Sequence, residues 1–158
     1  MSQERRYSFE FFPTKTEAGH EKLMGVAREL ASYNPDFFSC TYGAGGSTRD
    51  RTLNTVLQLE SEVKVPAAPH LSCVGDTKAD LRALLGEYKA AGIKRIVALR
   101  GDLPSGMGMA SGELRYASDL VEFIRQETAD HFHLEVAAYP EMHPQARNFE
   151  ADLANFVH

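Results

Sequence analysis

Polar and ionisable side chains follow the apolar, β-rich runs of this sequence, at the points where strands would end. They are Glu10, Thr41, Tyr42, His70, Arg100, Asp102, Tyr139, Glu141 and His143. In parallel α/β folds the carboxyl ends of the strands meet at one edge of the sheet, and ligands bind there. Carboxyl, imidazole and guanidinium groups at such an edge can exchange protons and bind anions. The pattern therefore predicts one polar site, without specifying its substrate.

Glu10 is the most informative of these residues because it lies within the aromatic run 9–12 (FEFF). A carboxyl group held among aromatic side chains loses hydration, which disfavours its charged form. Such a group can stay protonated near neutral pH and act as a general acid. Strand alternation places Ser8, Glu10 and Phe12 on one face. An equally good interpretation is a glutamate paired with a cation, such as Arg100, inside a barrel.

Arg100, Gly101 and Asp102 end the fourth β-rich run with a cation, a flexible residue and a carboxylate. A glycine at that point allows a ligand to approach the backbone closely. The alternative is a surface Arg–Asp pair around a turn.

Two other features carry weaker signals. The loop 43–47 (GAGGS) resembles a phosphate-binding turn before a helix, but it lacks the lysine of a P-loop, so a flexible connection is the better interpretation. His70 and His143 have no metal-type partner at helical spacing, and we expect no metal site.

The elements that must position these residues alternate regularly. Five β-rich runs, at 7–12, 36–42, 67–74, 95–101 and 133–139, are each followed by apolar residues at helical spacing, the last helix falling within 144–158. Such alternation predicts a parallel sheet with helices outside it. An open doubly wound sheet and a βα barrel both fit, and the periodicity does not separate them. The absence of a G-x-G-x-x-G turn after the first run weighs against a dinucleotide-binding open sheet.

Local signals place several helix ends. Ser47 or Thr48 could cap the second helix, and the segment 77–80 (TKAD) resembles the start of the third. The third helix carries Leu81, Leu84, Leu85 and Tyr88 on one side, and Gly92 is a plausible stop.

Composition excludes several classes of protein. The chain has 158 residues, 43% hydrophobic and 25% charged, with a formal net charge of −5, so we expect no nucleic-acid partner. No apolar run reaches the ~18 residues of a membrane span, and the first twelve residues lack the features of a signal peptide. The two cysteines, Cys40 and Cys73, lie in apolar segments and are interpreted as buried free thiols of a cytoplasmic protein.

Six segments together resemble the methylenetetrahydrofolate reductases, flavoproteins that make methyl-tetrahydrofolate for methionine synthesis. They are SFEFFPTKTE (8–17), TYGAGGSTRDRT (41–52), APHLSC (68–73), IVALRGDLP (96–104), YASDLV (116–121) and VAAYPEMHP (136–144). The segments occur in the family's order and spacing and cover essentially the whole chain. The resemblance implies a (β/α)₈ TIM barrel, of which residues 1–158 supply about the first five βα units, as the N-terminal portion of a single FAD-binding catalytic domain.

The resemblance also implies roles for individual residues. Glu10 matches the acid that activates the folate, and Asp102 matches a carboxylate near the pyrimidine edge of the flavin. Further FAD contacts carry over by position to Thr41, Tyr42, His70, Arg100, Gly101, Ala117, Tyr139 and His143, and beyond the fifth strand to Asp152 and Asn155. The implied reaction is ping-pong hydride transfer from NADH or NADPH, through FAD, to 5,10-methylenetetrahydrofolate. The implied assembly is a homo-oligomer in the cytoplasm.

Length departs from the family's pattern, since a complete barrel needs about 250 residues. We expect a fragment of a longer protein, a truncated gene product, or a half-barrel completed by another chain. Two other functions follow as alternatives. The chain could be a catalytically silent half-barrel or interaction module that retains the flavin-site sequence, or a barrel enzyme with a phosphate-bearing ligand and no flavin.

Overall fold

The computed structural model of the chain describes residues 5–43, 48–101 and 112–157. Within these ranges strands and helices alternate five times: β1 (Ser8–Phe11), α1 (Glu17–Ala31), β2 (Phe37–Cys40), α2 (Arg49–Gln58), β3 (Ala67–Ser72), α3 (Lys78–Ala90), β4 (Arg95–Leu99), α4 (Ala117–Thr128), β5 (His133–Val136) and α5 (Phe149–Val157). A π-helical turn, Leu59–Val63, continues α2. Every predicted βα unit is present, and each strand is shorter than the β-rich run that predicted it.

The strands form one parallel sheet in the order β1-β2-β3-β4-β5. Each strand pairs with the next strand of the chain, so right-handed crossovers place successive helices on the same face. A doubly wound sheet reverses its order at a switch point, and this sheet has no reversal across the described strands. The order is that of a βα barrel. The expected fold class is therefore confirmed: the chain is α/β and supplies five consecutive units of a barrel-type sheet.

One face of the sheet, which we call the helix-covered face, holds the hydrophobic core. Its strand residues are aligned across the ladder and almost fully buried: Phe11, Phe38, Cys40, Ala67, Leu71, Ile96 and Ala98. The rings of Phe11 and Phe38 meet edge to face, with centroids 5.2 Å apart. The buried side chains of α1 to α4 belong to the same cluster. The thiol of Cys40 lies in this core, and burial raises its pKa to about 12, so it is inert at neutral pH.

The helices α3 and α1 illustrate how far periodicity predicts burial. All four residues of the predicted apolar side of α3 are buried, and Thr77 and Asp80 form a reciprocal capping box at its start. In α1 the spacing of Leu23, Val26, Ala27 and Leu30 predicts one buried face, but Val26 is 41% exposed, whereas Met24 is 3% exposed. The buried stripe of α1 runs through Leu23, Met24 and Ala27, because the helix is rotated slightly from the face that the larger apolar residues suggest.

The last helix differs from the others because none of its residues is buried. The sequence predicts this helix within 144–158 from its apolar residues Leu153 and Phe156, and both are more than half exposed. No helix in the described ranges has the length and apolarity that a bilayer crossing requires.

Four helix-to-strand turns share one backbone feature, a residue with positive φ. The turns after α1, α2, α3 and α4 each contain one residue with positive φ: Asn34 at 56°, Lys64 at 66°, Gly92 at 85° and Ala129 at 52°. A residue of this kind lets the chain leave a helix and turn back toward the sheet. All four turns lie at the amino ends of the strands, away from the predicted site.

Candidate active site

The second face of the sheet, which we call the polar face, carries the ionisable residues. The ladder aligns Glu10 with Ser39 and Ala68, then His70 with Val97 and Glu135, and finally Arg95 with His133 nearer the amino ends. Because side chains alternate between faces, these residues point away from the core. The polar face is therefore the surface on which the strands can assemble a site.

Glu10 faces His70 across this surface. The carboxyl oxygen Oε2 lies 3.5 Å from the imidazole Nε2, and the Glu10 side chain is 51% exposed. The expectation that aromatic rings surround Glu10 is wrong, because Phe9 and Phe11 alternate onto the helix-covered face and pack against Phe38. The other interpretation, a pair with a cation such as Arg100, names the wrong partner, because the ionisable group beside Glu10 is His70 and the guanidinium of Arg100 donates to Gln145. Glu10 is instead an accessible carboxyl group beside a histidine.

His70 is held in a dry environment near the end of β3. It is only 7% exposed, and burial lowers its pKa below the ordinary value, against the opposing attraction of the Glu10 carboxylate. A buried neutral imidazole is therefore expected at neutral pH. It offers one N–H donor and one nitrogen acceptor at the carboxyl edge of the sheet.

Tyr42, just after β2, belongs to a cluster that the sequence did not predict. Its hydroxyl donates to Asp76 Oδ2 at 3.1 Å and accepts from Arg49 Nε at 2.6 Å, while Arg49 also forms an ion pair with Asp76. We call these three residues the Tyr42 cluster. Burial raises the pKa of Tyr42 to about 12, so its hydroxyl keeps its proton. The side chain of Asp76 is 7% exposed and that of Arg49 is 31% exposed.

Two threonines of the second helix hold the backbone around Tyr42. Thr52 Oγ1 donates to the carbonyl of Thr41 at 2.8 Å, and Thr48 Oγ1 accepts from the N–H of Gly43 at 2.7 Å. The N–H of Thr41 donates to the carbonyl of Phe11 at 2.9 Å and extends the strand ladder. Thr48 directly precedes α2, as one of the two predicted caps, but its hydroxyl makes no capping bond to a backbone N–H of the helix. It binds the N–H of Gly43 and the hydroxyl of Thr52 instead. Ser47, the other predicted cap, lies outside the described residues.

Gly101 is required by the structure at the end of β4. Its φ is +85°, and a Cβ added there would lie 1.9 Å from Ser72 Oγ. The hydroxyl of Ser72 donates to the carbonyl of Arg100 at 2.9 Å, so β3 and β4 remain tightly joined beyond their last ladder pair. The glycine was interpreted as giving a ligand access to the backbone, and the structure adds a packing reason for it.

Arg100 reaches the segment that follows β5. Its guanidinium donates to Gln145 Oε1 at 2.7 Å. His143 accepts from the N–H of Gln145 at 3.1 Å through Nδ1, and its own N–H donates to Asp152 Oδ2 at 2.8 Å. The ring of Tyr139 packs edge to face against His143, with centroids 4.8 Å apart. Gln145 thus joins Arg100 to His143, and His143 in turn contacts Tyr139 and Asp152.

The remaining predicted residues are placed less closely. Ala117 is the first residue of α4, beside the thiol of Cys73, which donates to the carbonyls of Arg100 and Tyr116 at 3.5 and 3.6 Å. Asn155 is exposed on α5, three residues after Asp152. Asp102, predicted as the second catalytic carboxylate, lies outside the described residues.

Sequence reasoning missed Arg49, Asp76 and Gln145. Arg49 and Asp76 lie near predicted helix starts, where a charge is usually interpreted as a capping or solvated group. Their contacts join loops separated by 27 and 34 residues, and no local pattern signals which loops are neighbours. Gln145 follows His143 by two residues, so proximity to a predicted site residue was the available signal.

The amino end of the polar face carries a different group, the Arg95 cluster, which consists of Arg95, Glu135 and His133. Arg95 forms an ion pair with Glu135, whose Oε1 lies 3.1 Å from His133 Nε2. The Arg95 guanidinium also lies over the ring of Phe37, 4.6 Å from its centroid. The side chains of Arg95 and Glu135 are 26% and 33% exposed.

In the described part of the chain, two cavities lie among the helices. One of about 410 Å³ lies between the start of α1 and α2, and one of about 190 Å³ lies between α2 and α3. Neither is lined by Glu10, His70 or Arg100. The predicted residues form an open edge because the sheet is not closed over them by the described elements. Within the described ranges, no group of three or more His, Cys, Asp or Glu residues is arranged to hold a metal ion.

Comparison with known proteins gives one consistent family. The model of the family described as "Methylenetetrahydrofolate reductase" matches residues 1–158. The chain is 45% identical over 148 residues to the 5,10-methylenetetrahydrofolate reductase of Escherichia coli strain K12, covering 94% of this chain and 48% of that protein. It is 43% identical over 151 residues to the enzyme of that name from Pectobacterium carotovorum, covering 96% and 49%.

A plant relative is also similar. The chain is 40% identical over 149 residues to the protein named methylenetetrahydrofolate reductase (NADH) 1 of Arabidopsis thaliana, covering 92% of this chain and 25% of that protein. The chain thus spans about half the length of the bacterial relatives that it matches, and about a quarter of the plant relative.

Proposed function

Because the chain belongs to the methylenetetrahydrofolate reductase family, we propose that it is the N-terminal part, residues 1–158, of one FAD-binding catalytic barrel. The proposed reaction is reduction of 5,10-methylenetetrahydrofolate to 5-methyltetrahydrofolate with NADH or NADPH, in one-carbon metabolism and methionine synthesis. One observation carries the proposal most strongly. Glu10 and His70 face each other 3.5 Å apart on the polar face, at the carboxyl edge of a sequentially ordered parallel sheet.

The residues at this edge fit a flavin nucleotide. Arg100 supplies a half-buried cation suited to a phosphate group, and its bonds to Gln145 and Gly101 leave further N–H donors. Tyr139 supplies an aromatic ring that is 51% exposed. Thr41 and His70 supply a hydroxyl and an imidazole. We propose that these four residues hold the FAD, with Tyr42, Gly101, Ala117, His143, Asp152 and Asn155 contributing by position.

When bound, the flavin supplies hydride transfer between the nicotinamide and the folate carbon. The chain's own residues then have to open the methylene bridge, which requires a proton on the departing amine. Glu10 is the proposed donor, because its carboxyl group is accessible from the polar face while the neighbouring His70 is buried. This is the task of a general acid.

Asp102 has a proposed electrostatic role that rests on its position after Gly101 alone. A carboxylate beside the flavin would disfavour negative charge on the ring, and it would attract the cationic folate iminium that forms when the bridge opens.

Replacing Glu10 by glutamine tests the proposal. In the whole protein, Glu10→Gln should lower the rate of folate reduction about 10²–10⁴-fold, which is the usual contribution of a general acid. Reduction of bound FAD by the nicotinamide, followed as bleaching of its absorbance, should stay within about twofold, because that half-reaction needs no proton from Glu10. Glu21→Gln, which changes an exposed carboxyl group on α1, serves as the matched control. Equal loss of both half-reactions would refute the role of Glu10.

A second candidate is a catalytically silent half-barrel or interaction module. The observation that favours it is the exposure of apolar residues on α5, including Leu153 and Phe156, which suits a surface that another element covers. A protein that purifies without colour and takes up no added FAD would support this candidate. The choice between NADH and NADPH is made by the ratio of their kcat/KM values. Sedimentation and fractionation test the proposed homo-oligomeric state and cytoplasmic location.

A further inference from the structure

The Tyr42 cluster joins two nearby parts of the chain, seven residues apart, to a third part that is 27 or more residues further on. Tyr42 lies in the loop after β2, Arg49 begins α2, and Asp76 lies in the loop between β3 and α3. Each member contacts both others, so the three side chains form a closed set of hydrogen bonds and one ion pair. Asp76 is the most buried member, and a buried carboxylate is retained only where partners satisfy it.

The cluster acts on the part of the chain that carries predicted site residues. The backbone on either side of Tyr42 is already fixed to α2 through Thr52 and Thr48. Those bonds tie the loop only to its own helix. The bond from the Tyr42 hydroxyl to Asp76 connects this loop to the neighbouring β3–α3 loop. In that second loop, the N–H of Val74 donates to the carbonyl of Arg100 at 3.0 Å.

We propose that Asp76 is a positioning residue that fixes residues 41–43, which follow β2, relative to the ends of β3 and β4, and thereby slows release of the flavin. This inference rests on the proposed function for the identity of the ligand. It does not rest on that function for the loop ordering, which can be measured without any ligand. Asp76 is assigned no contact with the flavin.

Asp76→Asn is the informative variant because asparagine keeps an oxygen acceptor and the side-chain size while removing the charge that pairs with Arg49. In the FAD-loaded protein we expect the flavin to dissociate about 5–10-fold faster, measured by the recovery of free flavin fluorescence after dilution. Hydrogen exchange of the amides at 41–43 in the protein without added FAD should accelerate by a similar factor. Amides of α4 should be unchanged.

The matched control is Glu127→Gln. Glu127 accepts two bonds from Arg82, at 2.6 and 2.7 Å, on the outer surface of α3 and α4. This variant removes an ion pair of similar geometry that touches no site loop, so it should change neither flavin release nor exchange at 41–43.

Tyr42→Phe provides a second route if Asp76→Asn folds poorly. It removes only the hydroxyl that bonds to Asp76, so by itself it should also accelerate exchange at 41–43. Where both single variants fold, the double variant should exchange no faster at 41–43 than the faster single variant, because both changes break one set of contacts. A lower melting temperature in Asp76→Asn with unchanged exchange at 41–43 and unchanged flavin release would overturn the proposal. Failure of the unmodified protein to bind FAD would refute the proposed function, and exchange at 41–43 would still decide whether Asp76 orders the loop.

Discussion

The two ends of the sheet use the same chemical groups in different ways. At the amino end, the charges of the Arg95 cluster are closely paired. Gly92, also at this end, has a φ of +85°, and a Cβ added to it would meet no atom within 4 Å. At the carboxyl end, Glu10 and His70 are 3.5 Å apart, beyond good hydrogen-bond distance. Gly101, with the same φ, is crowded by Ser72. The charged groups at the amino end are closely paired with each other, whereas Glu10 and His70 at the carboxyl end face each other without a close bond.

This difference separates stability from chemistry. In βα barrels, residues at the amino ends of the strands mainly serve stability, and residues at the carboxyl ends serve binding and catalysis. Groups that are fully paired with each other have little capacity left for a ligand. The loosely paired carboxyl and imidazole groups at the carboxyl end retain that capacity.

The two glycines provide the largest test of the comparison. Gly101→Ala should lower the free energy of unfolding by about 2–5 kcal/mol, since it adds the cost of a left-handed alanine to a clash with Ser72. Gly92→Ala has the same φ and no neighbour within 4 Å, so it should cost only about 1–2 kcal/mol. Urea unfolding measures both. Equal losses in the two variants would show that the crowding at the carboxyl end carries no energy.

Arg95→Met tests the amino end. It removes an ion pair and a cation–π contact and leaves Glu135 without its cation, and we expect a loss of about 1–2 kcal/mol, reduced from the fully buried case by partial exposure. Flavin binding should not change. The control is Arg28→Met, because the pair of Arg28 with Glu62 is exposed, at 56% and 45%, and should be worth at most about 0.5 kcal/mol. A loss no greater than that of the control would place the Arg95 cluster among ordinary surface pairs.

The smallest expected effect is the loss of folding stability at acidic pH. Since burial lowers the pKa of His70 in the folded chain, the unfolded chain takes up the proton first as the pH falls below about 6.5. Folding stability is therefore lost on acidification from that point, by up to about 1 kcal/mol between pH 7 and 5.5. His70→Gln should remove this component, whereas His133→Gln at the amino end should keep it. Parallel profiles for His70→Gln and the unmodified protein would contradict the assignment.

The sequence predicts the residues of the helix-covered face well and the contacts of the polar face incompletely. Helical periodicity identified every buried residue of α3, and the Thr77–Asp80 signal identified its cap, because both depend on neighbours in the chain. The aromatic environment of Glu10 was mispredicted although strand alternation already placed Phe9 and Phe11 on the opposite face. The side chains of adjacent strand residues point to opposite faces of the sheet, so they do not share an environment.

The sequence does not predict the contacts between loops. The bond from Tyr42 to Asp76 depends on the order of β2 and β3 in the sheet, and the periodicity left that order open. The link from Arg100 through Gln145 to His143 depends in the same way on β4 lying beside β5. The resemblance to a family supplied the barrel, and with it the expectation that these ends are neighbours. It did not supply the side chains that join them.

The four positive-φ turns have a consequence for engineering this chain. Asn34, Lys64 and Ala129 have positive φ, as Gly92 has without a side chain, so these three turns hold backbone strain that a glycine would release. They lie on the far side of the sheet from Glu10 and His70. Glycine in these helix-to-strand turns should therefore raise the melting temperature and leave the geometry of Glu10 and His70 unchanged.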